Sequence, residues 1–189
     1  MPEAPPCRVI LLGMMGSGKT TVGTALASLT GWPYHDNDAL LAAATGRTAR
    51  DLAQESTEAL RDAEAAALGL AVRQDEPAIV AAAAGIVLDP ALRETLASAG
   101  TVVWLHAPPQ VLARRAARGH HRPWLADDAG AWIARTAAER EPLYRAVADL
   151  EVDTDAAPAE TAARRILEAV RSRRCSAWLG TPLASPGGA

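Results

Sequence analysis

The sequence contains no phenylalanine, and aromatic residues make up only 4% of it. Its core must therefore be assembled mostly from Ala, Leu, Val and Trp. The missing Phe, beside abundant Ala and Arg, reads as a codon bias without functional content. Cysteine is scarce as well. Cys7 and Cys175 are the only two, too few for a disulfide scaffold and without metal-ligand spacing. Both are expected to be free thiols. No apolar run reaches the length of a membrane span, and Met1-Pro2-Glu3-Ala4-Pro5-Pro6 lacks the basic and apolar segments of a signal peptide. A cytoplasmic protein without a membrane partner is expected. A net charge of −3 provides no basic field for nucleic acid, so any anion site has to be built locally. What remains is a chain of 189 residues, 49% of them apolar, enough for one α/β domain with a substantial core. It is expected to be a monomer.

Against that background one stretch dominates. Gly13-Met14-Met15-Gly16-Ser17-Gly18-Lys19-Thr20 has glycine, four residues, then glycine, lysine and threonine, the spacing of a phosphate-binding loop. A polyphosphate needs several backbone N–H groups aimed at one point, and only residues without side chains let the chain wrap so closely. Gly13, Gly16 and Gly18 supply that freedom. Lys19 would reach the β- and γ-phosphates as a point charge, and the Thr20 hydroxyl would ligate the accompanying magnesium ion. Ser17 and Thr21 are assigned to the same nucleotide site, at the positive end of the following helix. Arg8-Val9-Ile10-Leu11-Leu12 is a run of strand length, and 21–29 reads as a helix ending at Thr30-Gly31. Strand, loop and helix come in the order the motif requires.

Further along, Trp32-Pro33-Tyr34-His35 reads as a short second strand that delivers Asp36-Asn37-Asp38 at its carboxyl end. In open parallel sheets ligands bind there, which would place both carboxylates beside a bound ligand and its metal. The alternative, that Asp38 is a helix N-cap and Asp36 a solvated turn residue, stays open on spacing alone. A short helix over 48–54 precedes a long one over 58–73, with Leu60, Ala63, Ala67 and Leu70 on one face. Arg61 and Glu64 on that helix read as a surface ion pair.

Ala78-Ile79-Val80-Ala81-Ala82 is a third strand passing into Ala83-Ala84-Gly85, and Asp89-Pro90 opens a helix that ends near Gly100. A fourth strand at 101–105 is followed by a helix over 108–118 carrying Arg114, Arg115 and Arg118. The stretch from about 118 to 128 has no periodicity and reads as a mobile lid. Arg122 in it is placed to meet a γ-phosphate, whereas the adjacent His120 and His121 support no metal site. A helix over 129–141 is expected to stop at Pro142, with another helical turn at 143–147. A fifth strand at 150–154 and a last helix over 159–173 complete a single domain spanning 8–173. It is flanked by expected disorder at 1–7 and 174–189. Alternating strands and helices imply a parallel sheet with helices on both faces.

With these pieces placed, the chain resembles the shikimate kinase family over 8–171. Gly18-Lys19-Thr20-Thr21-Val22-Gly23 is similar to the family's GKST-x-G, and Tyr34-His35-Asp36-Asn37-Asp38 to its aromatic-x-D-x-D segment. Leu60-Arg61-Asp62-Ala63-Glu64 resembles F-R-x-x-E, Arg122-Pro123-Trp124-Leu125 the lid's R-P-L-L, and Arg140-Glu141-Pro142-Leu143-Tyr144 the R-x-P-L-Y motif. The resemblance implies a P-loop NTPase three-layer fold of the nucleoside-monophosphate-kinase type, with a five-stranded parallel sheet in the order 2-3-1-4-5 and a mobile lid. It implies phosphoryl transfer from ATP, with Mg2+, to a hydroxyl of shikimate, a step of aromatic amino acid biosynthesis. By similarity Asp38 would hold and orient the attacking hydroxyl, Asp36 would position magnesium through water, and Arg61 with Arg140 would clamp the substrate carboxylate. Arg122 would meet the γ-phosphate, and Arg115 would pack against adenine.

The chain departs from the family at Ala83-Ala84-Gly85, where the family carries Gly-Gly-Gly, and at Leu60, where it carries phenylalanine. In the family the middle glycine offers its N–H to the substrate carboxylate. At Ala84 the N–H survives, but the methyl group crowds the approach and would add strain of about 1 kcal/mol if the site needed positive φ. Ala84→Gly is accordingly expected to raise turnover or lower the shikimate KM. A kinase for gluconate or another hydroxy acid, and a non-catalytic nucleotide-binding protein, stay open as alternatives. A regulatory GTPase is disfavoured, because no N-K-x-D segment is present.

Overall fold

The computed structural model describes residues 7–73, 77–118 and 129–171. Apolar runs set the middle of the sheet: β1 (Arg8–Leu12), β3 (Ala78–Ala81) and β4 (Thr101–His106) are buried almost throughout, as strands covered on both faces must be. With the shorter β2 (Tyr34–Asp36) and β5 (Leu150–Asp153) they form one parallel sheet in the order β2-β3-β1-β4-β5. Ile10 of β1 lies opposite Val80 on one side and Val102 on the other. The helices are α1 (Lys19–Thr30), α2 (Asn37–Thr45), α3 (Ala49–Glu55), α4 (Thr57–Val72), α5 (Pro90–Ala99), α6 (Pro109–Arg118), α7 (Ala129–Val147) and α8 (Ala159–Arg171). None of the described helices is long and apolar enough to cross a membrane.

Alternation along β1 divides the core into two layers. Ile10 and Leu12 point into a cluster with Leu68 of α4, Leu96 of α5, Leu112 of α6 and Ile133 of α7. Val9 and Leu11 point the other way, against Val22 and Leu26 of α1 and Ile166 and Val170 of α8. Among the described residues Ile contributes more to this interior than expected, and Trp104 is the one tryptophan that is fully part of it.

Three expectations need correction. Pro142 does not end a helix: α7 continues through it to Val147. A proline inside a helix removes one backbone bond, but Arg140 before it and Tyr144 after it both bond the carbonyl of Ala84. Those contacts hold the helix on either side of the defect. On α4 the buried face is Glu64, Ala67, Leu68 and Ala71, while Leu70 is 46% exposed. Apolar spacing on so alanine-rich a helix fits more than one face, and the buried carboxylate of Glu64 decides between them. Finally, Cys7 is buried and disulfide-bonded, so the expected free thiol is absent there. Cys175 lies outside the described residues.

Candidate active site

Beyond the carboxyl end of β1 the chain turns through Gly13 to Gly18 before entering α1. Gly13, Gly16 and Gly18 have φ of +142°, +77° and +92°, a region that L side chains rarely adopt. Space is limiting at two of them. A Cβ on Gly13 would collide with the carbonyl oxygen of Leu105, and one on Gly16 would lie 2.6 Å from that of Leu112. Ser17 is 1% exposed, and its hydroxyl has no hydrogen-bond partner. A buried donor left over inside a glycine cradle is what an anion-binding loop offers. The Lys19 ammonium donates to the carbonyls of Gly13 at 2.8 Å and Met14 at 3.2 Å, folding back over the loop. Lys19 is the only lysine of the chain, so no second lysine can stand in for it. Thr21 is exposed in the first turn of α1. Arg115, at the end of α6, donates to the Thr154 hydroxyl at 3.1 Å and to the Thr154 carbonyl at 3.0 Å. It also lies 3.8 Å from Asp155 and reaches the Gly16 carbonyl at 3.5 Å. The guanidinium is thereby fastened between the exit of β5 and the loop.

Next to the loop, one carboxylate gathers three donors. Asp36 Oδ2 accepts from the Tyr34 hydroxyl at 2.9 Å and from the Thr20 hydroxyl at 3.4 Å, while Asp36 Oδ1 accepts the backbone N–H of Asp38 at 3.0 Å. Asp36, not Asp38, is thus the residue that caps α2, and the side chain of exposed Asp38 is left out of the cap. The arrangement depends on Gly23, because a Cβ there would run into the Tyr34 ring. Burial and then the charge of Asp36 push the Tyr34 hydroxyl well above its ordinary pKa, which keeps it a donor. Thr20 and Asp36 are hard oxygen donors of the kind Mg2+ selects. Among the described residues no group of three or more His, Cys, Asp or Glu could hold a metal. That suits an ion held by one or two protein oxygens together with substrate phosphates.

Across from the phosphate loop a second group of charges converges. Arg61 Nη1 and Glu64 Oε2 are 2.8 Å apart, and the Glu64 side chain is only 10% exposed, so this is no surface pair. Burial pushes the Glu64 carboxyl pKa up, against the pull of Arg61 and Arg140, and the charge of Asp38 adds to the rise. Glu64 therefore lies within electrostatic range of Asp38, Arg61 and Arg140. Arg140 Nη1 donates to the Ala84 carbonyl at 3.2 Å, and the Tyr144 hydroxyl donates to the same oxygen at 2.6 Å.

No described residue other than glycine has positive φ. Ala83 and Ala84 therefore sit in ordinary backbone, and the strain considered for Ala84 does not arise. Gly85 also has ordinary φ, −91°, but a Cβ on it would fall on the Arg61 guanidinium. A cleft of about 350 Å³ opens beside this pair, floored by Ile86, Leu88 and Leu92. It shares Arg61 and Gly85 with the charged cluster but contains no residue of the phosphate loop.

The structure thus brings Gly13, Gly16, Ser17, Gly18, Lys19, Thr20 and Asp36 into one group, and Asp38, Arg61, Ala84 and Arg140 into its neighbour. Arg122 and the rest of the expected lid at 119–128 lie outside the described residues. Sequence reasoning gave no role to Tyr34, Gly23, Gly85 or Tyr144, and gave Glu64 only a surface one. Four of the five stood inside quoted motifs, where the signal was available; Gly85 stood in the departing Ala83-Ala84-Gly85 run.

The chain is similar to known proteins over most of its length. The family model described as shikimate kinase matches residues 15–171. A shikimate kinase of Halorhodospira halophila is 40% identical over 170 residues, covering 89% of this chain and 96% of that protein. One from Symbiobacterium thermophilum is 38% identical over 170 residues, covering 87% and 97%. Among solved structures, the shikimate kinase of Acinetobacter baumannii in complex with shikimate superposes with a TM-score of 0.80 at 29% identity, covering 90% of this chain and 96% of that one.

Proposed function

Because this chain belongs to the shikimate kinase family, we propose that it transfers the γ-phosphoryl group of ATP to a hydroxyl of shikimate, giving shikimate 3-phosphate and ADP. One observation carries the reading. A glycine cradle capped by Lys19 lies next to a charged cluster in which Arg61 pairs with buried Glu64 and Arg140 bonds the Ala84 carbonyl, with Arg140 and Asp38 in electrostatic range of Glu64. The first suits a triphosphate; the second suits a small acid that also bears hydroxyls.

In this reading Lys19 neutralises the β- and γ-phosphates, with the backbone of Gly13 to Gly18 and the side chains of Ser17 and Thr21 around them. Thr20 and Asp36 hold magnesium, which when bound offsets charge on the phosphate oxygens. Arg61 and Arg140 grip the carboxylate, and the backbone of Ala84 lies against it. Asp38 orients the attacking hydroxyl and accepts its hydrogen bond. Arg115 borders adenine, and Arg122 approaches the γ-phosphate from the lid. Such a set works by positioning and charge neutralisation, the two contributions phosphoryl transfer demands of a protein. The same proposal takes the protein as a cytoplasmic monomer, without nucleic-acid or membrane partners. Sedimentation of the purified protein and fractionation of its cells test that part.

ADP release with MgATP, measured with shikimate, gluconate and quinate in turn, tests the activity. Turnover with shikimate is expected. Turnover with gluconate alone would make the chain a kinase of another hydroxy acid, and none with any acid would leave a nucleotide-binding protein. Arg140→Ala should raise the shikimate KM roughly tenfold or more while leaving the ATP KM within about twofold. Equal losses on both substrates would remove Arg140 from the carboxylate.

A further inference from the structure

Tyr144 takes no part in the chemistry above, yet it stands where the two halves of the site meet. Its side chain is 1% exposed. The ring stacks on Trp104 with centroids 6.0 Å apart, which fixes the direction of the hydroxyl. That hydroxyl donates to the Ala84 carbonyl at 2.6 Å and lies 3.7 Å from Met14 Sδ. Met14 is the second residue of the phosphate loop, and its own carbonyl accepts from Lys19 at 3.2 Å and from the Ser17 N–H at 3.1 Å. One oxygen atom therefore touches the nucleotide loop on one side and the 83–85 turn on the other. Burial pushes the hydroxyl up to about 12, with Arg140 and Arg61 pulling against it, so it remains a protonated donor at physiological pH.

Peptide geometry turns this contact into a function. In a planar trans peptide the carbonyl of one residue and the N–H of the next point in opposite directions. With the Ala84 carbonyl held toward α7 by Tyr144 and Arg140, the Gly85 N–H is turned away from α7. The Gly85 Cα, meanwhile, packs against the Arg61 guanidinium.

We propose that Tyr144 is a positioning residue. It holds the Ala84 carbonyl, and with it the 83–85 turn whose Ala84 backbone lies against the acid substrate, and it ties that turn to the phosphate loop at Met14, so that acid and nucleotide bind cooperatively. The role rests on the kinase reading given above. Tyr144→Phe tests it by removing one oxygen while keeping the stacked ring. The shikimate KM should rise about tenfold, the worth of one buried hydrogen bond, with kcat lowered less than about threefold and the MgADP Kd measured without shikimate unchanged. By calorimetry, the factor by which MgADP changes the shikimate Kd should shrink toward one.

A merely structural tyrosine would lower thermal stability without this split between KM and kcat. Wild-type turnover of shikimate with an unaltered KM and undiminished coupling in Tyr144→Phe overturns the role alone. Absence of shikimate turnover in the wild type overturns the kinase reading, and the role falls with it. If Tyr144→Phe does not fold, Met14→Leu takes its place: it removes the sulfur at nearly constant volume, and coupling equal to wild type would overturn the tie.

Discussion

Two turns at the same end of the sheet, 13–18 after β1 and 83–85 after β3, both carry glycine, but for different physical reasons. In the first, three glycines have φ that other residues rarely reach, and two of them also leave no room for a Cβ. In the second, every residue has ordinary φ, and the single glycine leaves room for the Arg61 guanidinium, the movable end of a side chain that a Cβ there would displace. The phosphate loop is therefore a backbone device whose shape is fixed by conformation. The 83–85 turn is a side-chain device, positioned from outside by Arg61, Arg140 and Tyr144. Alanine at 83 and 84 is tolerable in the second setting and would not be in the first.

The comparison can be broken at either end. Gly13→Ala asks for both a rare φ and a collision with Leu105, and a displacement of the loop by about 1 Å is enough to cost about a hundredfold in kcat/KM for ATP. Residual activity near wild type in steady-state kinetics would show that the loop tolerates side chains after all. Gly85→Ala should act only on the acid: the shikimate KM rises roughly thirtyfold, as expected for a displaced charged hydrogen bond, with the ATP KM unchanged. A matching rise in the ATP KM would erase the distinction between the two turns.

Glu64→Gln probes the electrostatics beneath Arg61. The native pKa of Glu64 lies above the ordinary carboxyl value of 4.5. Its contribution to stability is therefore fully present below that value and is lost as pH rises through the native pKa. The glutamine variant lacks this loss, so urea unfolding should show its stability gaining on wild type as pH increases from about 4.5 toward neutrality. A constant difference across that window would mean that burial does not raise the carboxyl. The smallest effect is expected for Ala84→Gly: both KM values within about twofold, and stability lower by about 0.7 kcal/mol through the freer unfolded chain. Of the two grounds for a gain from glycine here, the strain is absent, because Ala84 has no positive φ, and the crowding by its methyl group is what this variant measures.

Legibility in the sequence followed the range of the interactions involved. The phosphate loop, β1 and α1 were readable because their determinants lie within a few residues of one another. The strand order followed from the family resemblance, and Asp36 and Asp38 from their place at a strand end. Whether either carboxylate caps α2 stayed open, since only the folded geometry, in which Asp36 is the cap, distinguishes two carboxylates two residues apart. Pro142 was read as a stop because the carbonyl that secures α7 on both sides of it belongs to Ala84, more than fifty residues away in sequence. The same limit hid the buried face of α4. Arg61 and Arg140 acquired roles only through resemblance, because no local pattern says that one arginine will pair with a buried glutamate and another, on a different helix, will bond the Ala84 carbonyl.

The strand order also governs when this site can come into being during synthesis. β1 leaves the ribosome first but lies at the centre of the sheet, with Val9 paired to Ile79 on one side and Thr101 on the other. The carbonyls of Leu105 and Leu112 that wall in Gly13 and Gly16 arrive later still. A nascent chain shorter than this has an exposed apolar strand and no cradle, so ATP cannot rescue it by binding. Quality control meets the most vulnerable form of the protein before its nucleotide can.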